Sequence, residues 1–398
     1  MRRRAIRVPG FRFAGVACGI KESGRPDVAL IVADRPAVAA GVFTTNRAAA
    51  APVQLGRERL RGGRLQAVVV NSGNANAYTG TAGLRAARAM TAQVATGLGI
   101  DERLVVPSST GRIGVQLPMP KLRRGIAAAL AGLSADGFQA ALDGIMTTDA
   151  FPKFGARMLR LDGRPVTVGV LAKGAGMIAP NMATLLVYVL TDANLSRAAA
   201  SQVLRLALPR SFNAIVVDGD MSTNDTLLLL ASGAAGNRQL TPSARAFGGF
   251  AAGVGELLRE VARMVVKDGE GATRLIDVVV RGGRTDTDAA RVADAIARSP
   301  LCKTAFFGGD PYAGRVVCAA GYSGARFDPA RIDIFLDDVQ IVRRGVEVVR
   351  QVERRAGRVA ARPEFTLTID LRAGRGRAER MVSDLTVDYV RFNSDYRT

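Results

Sequence analysis

The chain has 398 residues, with 55 Lys or Arg against 35 Asp or Glu, a formal charge of +20 and no histidine. Without imidazole there is no Ser-His-Asp or Cys-His catalysis, no His-ligated zinc and no proximal-His haem, so acid-base work falls to carboxylates, lysines or an α-amino group. A hydrophobic share of 48% excludes a disordered chain, and the length suits two to three domains of about 150 residues.

Cys18, Cys302 and Cys318 are widely spaced and form no CxxC. They argue against a disulfide framework or thiolate metal site, fit a reducing cytoplasm, and read as small buried hydrophobes. The N-terminus starts basic, but Arg7 and Arg12 break any continuous apolar region after it and no apolar run of about 18 residues follows, so neither a signal peptide nor a membrane partner is expected. The densest basic stretches, 57–64 and 343–362, carry almost no aromatics and no nucleic-acid-binding pattern. The charge therefore reads as a solvated surface, with no nucleic acid as partner.

In chain order, residues 28–33, 37–43 and 65–70 are apolar runs rich in β-branched residues and read as buried strands. Leu84, Ala87, Met90, Val94 and Leu98 share one face of a helix over 82–98, and a strand follows at 104–106. Helices are expected over 122–133 and 137–146, the second with Ser134 as N-cap. Residues 155–161 and 166–172 form a hairpin around Asp162-Gly163. After the glycine-rich Lys173-Gly174-Ala175-Gly176 come a strand at 184–190, a helix from Ser196, a strand at 214–217, a helix over 243–266, a strand at 275–280 and a helix over 285–299. The last hundred residues read as mostly β, with strands at 331–342, 364–371 and 385–392. The result is a mixed α/β chain with no sharp linker, internal repeat or low-complexity tract.

Polar, glycine-punctuated segments stand at the ends of these strands: NSGNANAYTG, SSTGRIG, MTTDAFPK, KGAGMIAPNMATLL, DGDMSTNDT, KDGEGAT and the final DYVRFNSDYRT. Loops on a rigid scaffold are where binding groups collect. KGAGM has neither the GxxxxGK[ST] nor the GxGxxG spacing and is not a phosphate loop. The group Asp218-Gly219-Asp220 and Asn224-Asp225 lacks EF-hand spacing and reads as a turn network of Asx side chains, so no metal and no cofactor are expected.

Thr184 stands at the head of an apolar strand, where its bland reading is a strand-start threonine. Cutting the peptide bond before it would add a free α-amino group of pKa about 7.7–8.0 to the residue that carries the hydroxyl, giving a nucleophile with its own base. Its β-branched side chain is also stiff at χ1.

KGAGMIAPNMATLL resembles the autoprocessing segment of the ornithine acetyltransferase family, also called the arginine biosynthesis bifunctional proteins. GVACGIK, FTTN, NSGNANA, STG, MTTD, SFNAIVVDGDMSTNDT, DGEGAT, SPLCKTA and DYVRFNSDYRT occur in that family's order over essentially the whole chain. The resemblance implies an N-terminal-nucleophile-type fold of mixed sheets layered with helices. It implies cleavage between Ala183 and Thr184 into an α chain, 1–183, and a β chain, 184–398, both remaining in one intertwined unit. Thr184 is then the nucleophile, and Thr110 and Gly111 match the oxyanion hole. Thr147, Lys173, Thr184, Glu270, Asn393 and Thr398 match substrate-binding positions, Glu270 suiting a substrate ammonium and Lys173 a carboxylate.

The implied reaction moves an acetyl group from N2-acetylornithine to glutamate by a ping-pong route, in a cytoplasmic heterotetramer of two α and two β chains, with acetyl-CoA open as a co-substrate. Two readings compete with it: an N-terminal-nucleophile amidase or aminopeptidase with water as acceptor, and a basic nucleic-acid-binding protein. Ala150, Tyr78 and residues 309–315 depart from the family's usual residues and leave room for a different acyl donor.

Overall fold

The computed structural model describes residues 6–179 and 185–395, so Ala183, Thr184 and Thr398 lie outside the described residues. The described chain divides into two units, one holding the chain to Asn213 together with Asp220–Ala262, the other Ala214–Gly219 and residues 263–395. The elements begin with β1 (Phe11–Val16), β2 (Val28–Phe43), α1 (Ala51–Leu60), β3 (Arg64–Asn74), α2 (Gly80–Leu98), β4 (Val105–Arg112), α3 (Met119–Ala131) and α4 (Phe138–Ile145). They continue with β5 (Lys153–Leu161), β6 (Arg164–Lys173), β7 (Leu186–Thr191), α5 (Arg197–Ala207), β8 (Ile215–Val216), β9 (Thr226–Ala231) and α6 (Phe247–Lys267). The remainder comprises β10 (Leu275–Gly283), α7 (Asp286–Arg298), α8 (Pro300–Gly308), α9 (Gly314–Gly321), β11 (Asp333–Leu336), β12 (Val339–Arg343), β13 (Val346–Glu347), α10 (Val349–Ala360), β14 (Glu364–Asp370), β15 (Gly376–Ser383) and α11 (Val387–Asp395).

The first unit is built on an eight-stranded sheet in the order β4-β3-β2-β9-β7-β6-β5, with β1 also paired to β2. The runs expected at 28–33 and 37–43 are a single strand, β2, whose pairing with β3 shifts register between Val32 and Ala37. Successive residues of a strand point to opposite faces. Val28, Leu30 and Val32 accordingly pack with Val69, Met90, Val94, Leu122 and Ile126, while Ala29, Ile31 and Ala33 pack with Phe13, Val68, Leu142, Ile145 and Tyr188. The sheet thus has helices α2 and α3 on one side and a second apolar layer on the other. That is why its strands read as unbroken apolar runs. Each fully buried Val, Leu or Ile contributes about 1.5–3 kcal/mol.

The expected hairpin is present as β5 and β6, with φ values of 49° at Asp162 and 80° at Gly163, as a type I′ turn requires. Ser196 caps α5 by accepting from Ala199 N. Ser134 does not cap α4: Gly137 is the N-cap, because the Ser134 backbone is engaged with Phe13 and its hydroxyl accepts from Asp136 N.

The second unit carries a seven-stranded sheet in the order β13-β12-β11-β14-β10-β15-β8. Ile276, Val278 and Val280 of β10 share a core with Val292 and Ile296 of α7, Val316 of α9 and Val359 of α10. The expectation of a mostly β C-terminal hundred residues is corrected here, since α8, α9, α10 and α11 lie within it. The span 331–342 is two strands, split where Asp337 adopts φ 49° and its carboxylate accepts from Thr366 N. The span 385–392 is not a strand. The Thr386 hydroxyl accepts from Tyr389 N and starts α11, and none of that helix is buried, so no neighbouring strand draws its β-branched residues into a sheet. Among the described residues no helix is long and apolar enough to cross a membrane.

Candidate active site

In the first unit the ends of β3 and β4 lie side by side in parallel, with Ser72 opposite Thr110 and Gly73 opposite Gly111. The asparagines of NSGNANA fasten this end of the sheet. Asn71 Nδ2 donates to Asn74 O at 2.8 Å, Asn74 Oδ1 accepts from Asn76 N at 2.8 Å, and Ser109 Oγ donates to Asn71 Oδ1 at 2.6 Å. Gly111 has φ 125°, and a Cβ there would lie 2.4 Å from Gly73 C and 2.6 Å from Asn74 N. Only glycine fits, so the direction of the Gly111 peptide is dictated by sequence.

Thr110, 3% exposed, precedes it, and its Oγ accepts from Lys173 Nζ at 3.2 Å. A hydroxyl that accepts from an ammonium keeps its own proton to donate. A proton available for donation is what a group stabilising a developing oxyanion needs.

Lys173, 2% exposed at the end of β6, is held beside a carboxylate the sequence reading did not select. Asp149 of MTTD accepts from Thr147 N and Gly174 N, both at 2.8 Å, and from the buried Lys153 ammonium. Burial alone would raise its pKa, but Lys173 and Lys153 outweigh that and hold it below the ordinary carboxylate range. Asp149 thus ties together the loop of the half-buried Thr147 and the residue after Lys173. Lys21 of GVACGIK stands close enough to feel Lys173, and burial pushes its ammonium down to about 8.

The second unit brings Glu270 and Asn393 together, with Asn393 Nδ2 donating to Glu270 Oε2 at 3.2 Å. The loop bearing Glu270 lies directly on the start of α11: a Cβ on Gly271 would sit 2.4 Å from Tyr389 N, and Thr386 Oγ donates to Gly271 O at 2.7 Å. Asp384 accepts from Thr273 N at 2.8 Å and from its hydroxyl, fixing the far end of the same loop. Lys303 of SPLCKTA is 3% exposed, donates to Ser383 Oγ at 3.1 Å, and is pushed down to about 8 by burial.

Thr110 and Lys173 are therefore in contact, Thr147 and Lys173 share Asp149, and Glu270 meets Asn393. The DGDMSTNDT segment is not simply the Asx turn network expected: its local turn is made by Ser222 Oγ, which accepts from Asn224 N at 3.0 Å, while the Asn224 and Asp225 side chains reach Ala75, Ser109 and Leu185. Of the three free cysteines only Cys302 is buried; Cys318 is exposed and Cys18 intermediate, which corrects the reading of all three as buried.

The model of the ArgJ family matches residues 12–398. The chain belongs to the ArgJ family. It is 50% identical to the arginine biosynthesis bifunctional protein ArgJ of Geobacter sulfurreducens over 99% of this chain and 100% of that protein. It is 49% identical to the protein of the same name from Symbiobacterium thermophilum, over 98% of this chain and 97% of that one. The crystal structure of the Bacillus halodurans arginine biosynthesis bifunctional protein ArgJ is similar at 35% identity with a TM-score of 0.50, covering 52% of this chain and 98% of that chain. As a member of the ArgJ family the protein is an acyltransferase of arginine biosynthesis, and the expected fold class, mixed α/β with layered mixed sheets, is the one observed.

Proposed function

We propose that the protein cuts its own chain between Ala183 and Thr184 and then moves an acetyl group from N2-acetylornithine to glutamate through an acetyl ester on Thr184. The Thr184 hydroxyl attacks the acetyl carbonyl while its α-amino group takes the hydroxyl proton, and Thr110 O–H and the Gly111 N–H stabilise the oxyanion. Collapse breaks the C–N bond, the proton passes to the leaving amine, and ornithine departs. The α-amino group of glutamate then attacks the ester and loses a proton to the regenerated base; collapse breaks the ester C–O bond, the base returns the proton to Thr184 Oγ, and N-acetylglutamate leaves.

The observation that carries this reading is the Lys173–Thr110 contact beside a position only glycine can occupy: a buried hydroxyl, charged on one side and free to donate on the other. The position of β7 supports a cut that leaves both segments in place, because it pairs with β6 on one side and β9 on the other. The Bacillus halodurans chain, covered almost fully yet matching about half of this one, has the length expected of one half of a divided chain.

Glu270 and Asn393 hold the substrate's ammonium and polar groups, with Thr147, Lys173 and Thr398 as further contacts. The name of the relatives, bifunctional, extends the proposal to acetyl-CoA as a second donor to glutamate. The cleaved halves assemble as a cytoplasmic heterotetramer of two α and two β chains, which native mass spectrometry would count. The test of the chemistry is incubation with N2-acetylornithine and glutamate. Acetylglutamate formed in step with ornithine supports transfer, whereas free acetate would show a hydrolase. Thr184→Ala is expected to run as one band on a denaturing gel and to transfer nothing.

A further inference from the structure

The reaction just described uses no residue of DGDMSTNDT, yet two of its members are buried between the chain segments on which that reaction depends. Asn224 and Asp225 are 6% and 0% exposed. Asn224 Nδ2 donates to Ala75 O at 2.6 Å and to Ser109 O at 2.9 Å, while its Oδ1 accepts from Thr223 Oγ at 2.6 Å. The Ser109 carbonyl belongs to the peptide that joins Ser109 to Thr110, so this contact sets the plane from which Thr110 departs. Asp225 Oδ1 accepts from Leu185 N at 2.8 Å, and Thr226 N donates to Leu185 O at 2.9 Å. Leu185 is bonded to Thr184, so both backbone polar groups of the residue after the nucleophile are held by residues 225 and 226. Thr44 N, from FTTN, donates to Asp225 O at 3.0 Å and steadies the bracket from a third strand end.

We propose that Asn224 and Asp225 are positioning residues, a two-residue bracket that sets the oxyanion strand, through Ser109, against the nucleophile strand, through Leu185. The proposal rests on the reading of Thr184 and Thr110 given above. Neither side chain is assigned a substrate contact, so their loss falls on the alignment of reacting groups. A displacement of about 1 Å is enough to cost about a hundredfold in rate. Burial pushes the Asp225 carboxyl up to about 8, which leaves it largely neutral near pH 7 and makes asparagine its near-isostere.

The test compares Asp225→Ala, Asp225→Asn, Asn224→Ala and the double alanine variant by denaturing gel for self-cleavage and by kcat and KM for N2-acetylornithine. Each single alanine variant is expected to slow cleavage and to lower kcat about thirtyfold or more, with KM within about twofold of wild type. Asp225→Asn, which keeps the acceptor for Leu185 N–H, restores at least about half of kcat, and the double variant falls little below the worse single one, because either loss opens the same bracket. Where an alanine variant does not fold, Asn224→Asp is read in its place. It keeps the shape, sets a carboxylate oxygen against the Ser109 carbonyl, and should show the same loss of kcat.

Wild-type kcat in a folded Asp225→Ala or Asn224→Ala, a loss confined to KM, an Asp225→Asn as impaired as alanine, or fully additive losses would each overturn the proposal. Thr184→Ala separates the two levels: if it still transfers acetyl groups, the reading of the nucleophile fails and the bracket with it. If it is inert while Asp225→Ala is normal, only the bracket fails.

Discussion

Replacing Asp149 by Asn keeps the side-chain shape and removes one charge from the centre of the first unit. The carboxylate accepts two backbone N–H groups at 2.8 Å and the Lys153 ammonium, and the side chains of Asp149 and Lys153 are both 0% exposed. In the variant an NH2 group takes the place of one acceptor oxygen, and the negative charge facing Lys153 and Lys173 is gone. Removing one partner of a buried ion pair costs about 3–5 kcal/mol, within which the lost acceptor accounts for about 1–3. At about 2–4 °C per kcal/mol for a unit of this size, the melting temperature should fall by roughly 6–20 °C.

Urea unfolding followed by circular dichroism at pH 7 measures the difference, and its pH dependence checks the cause. The native pKa of Asp149 is depressed. Its contribution is therefore present above the unfolded value of about 3.9 and is lost as pH falls through the lower native value. The gap between wild type and variant should hold from pH 7 to 5 and narrow below about pH 4. A variant within about 1 kcal/mol of wild type at pH 7, or a gap as large at pH 2 as at pH 7, would refute a charge-based role.

Thr110→Ala should lower kcat by about 10²–10³, the usual cost of one oxyanion donor, and leave KM for N2-acetylornithine nearly unchanged in steady-state assays. Gly111→Ala must force a Cβ against the Gly73 backbone at a φ of 125°. It should lower the melting temperature by an amount equivalent to about 1–3 kcal/mol and depress kcat with it; a thermal scan of the purified variant decides. Glu270→Gln removes a charged partner worth about 1.5–3 kcal/mol and should raise KM for N2-acetylornithine about tenfold or more with a smaller effect on kcat. An unchanged KM would remove Glu270 from the substrate site.

The elements legible in advance were those whose apolar faces are complete. β2, β3, β6 and β10 are sandwiched or half-buried strands, and α2 shows one apolar stripe. β15 was not legible, because GRAERMVS carries alternating charges whose role is tertiary: Arg380 pairs with Asp294 of α7 at 2.6 Å. The leucine run of β9 suits helix and strand equally, and only pairing with β2 and β7 decides it. α11 was misread because its Val and Tyr residues favour strands, whereas the Thr386 cap and the lack of a partner strand favour a helix.

At the site, Thr110, Gly111 and Lys173 were reached through motif order, and the structure adds why they stand together. Asp149 was not singled out, and Asn224 and Asp225 were read only as members of an Asx turn network. Their hydrogen bonds join residues that are far apart in sequence, and an Asp or Asn in a polar loop looks alike whether it caps a turn or holds two strands.

The place of β7 and β9 in the first sheet bears on the order of events in the protein's life. A break before Thr184 would give β1 to β6 to one fragment and β7 and β9 to the other, and in the sheet these two strands stand between β2 and β6. The amino-terminal fragment alone would expose β2 and β6 as two open edges rich in buried apolar residues, which invite pairing with foreign strands. On the proposed cleavage, the uncut chain would be the folding unit and the cut a finishing step. Halves synthesised separately should aggregate sooner than they assemble.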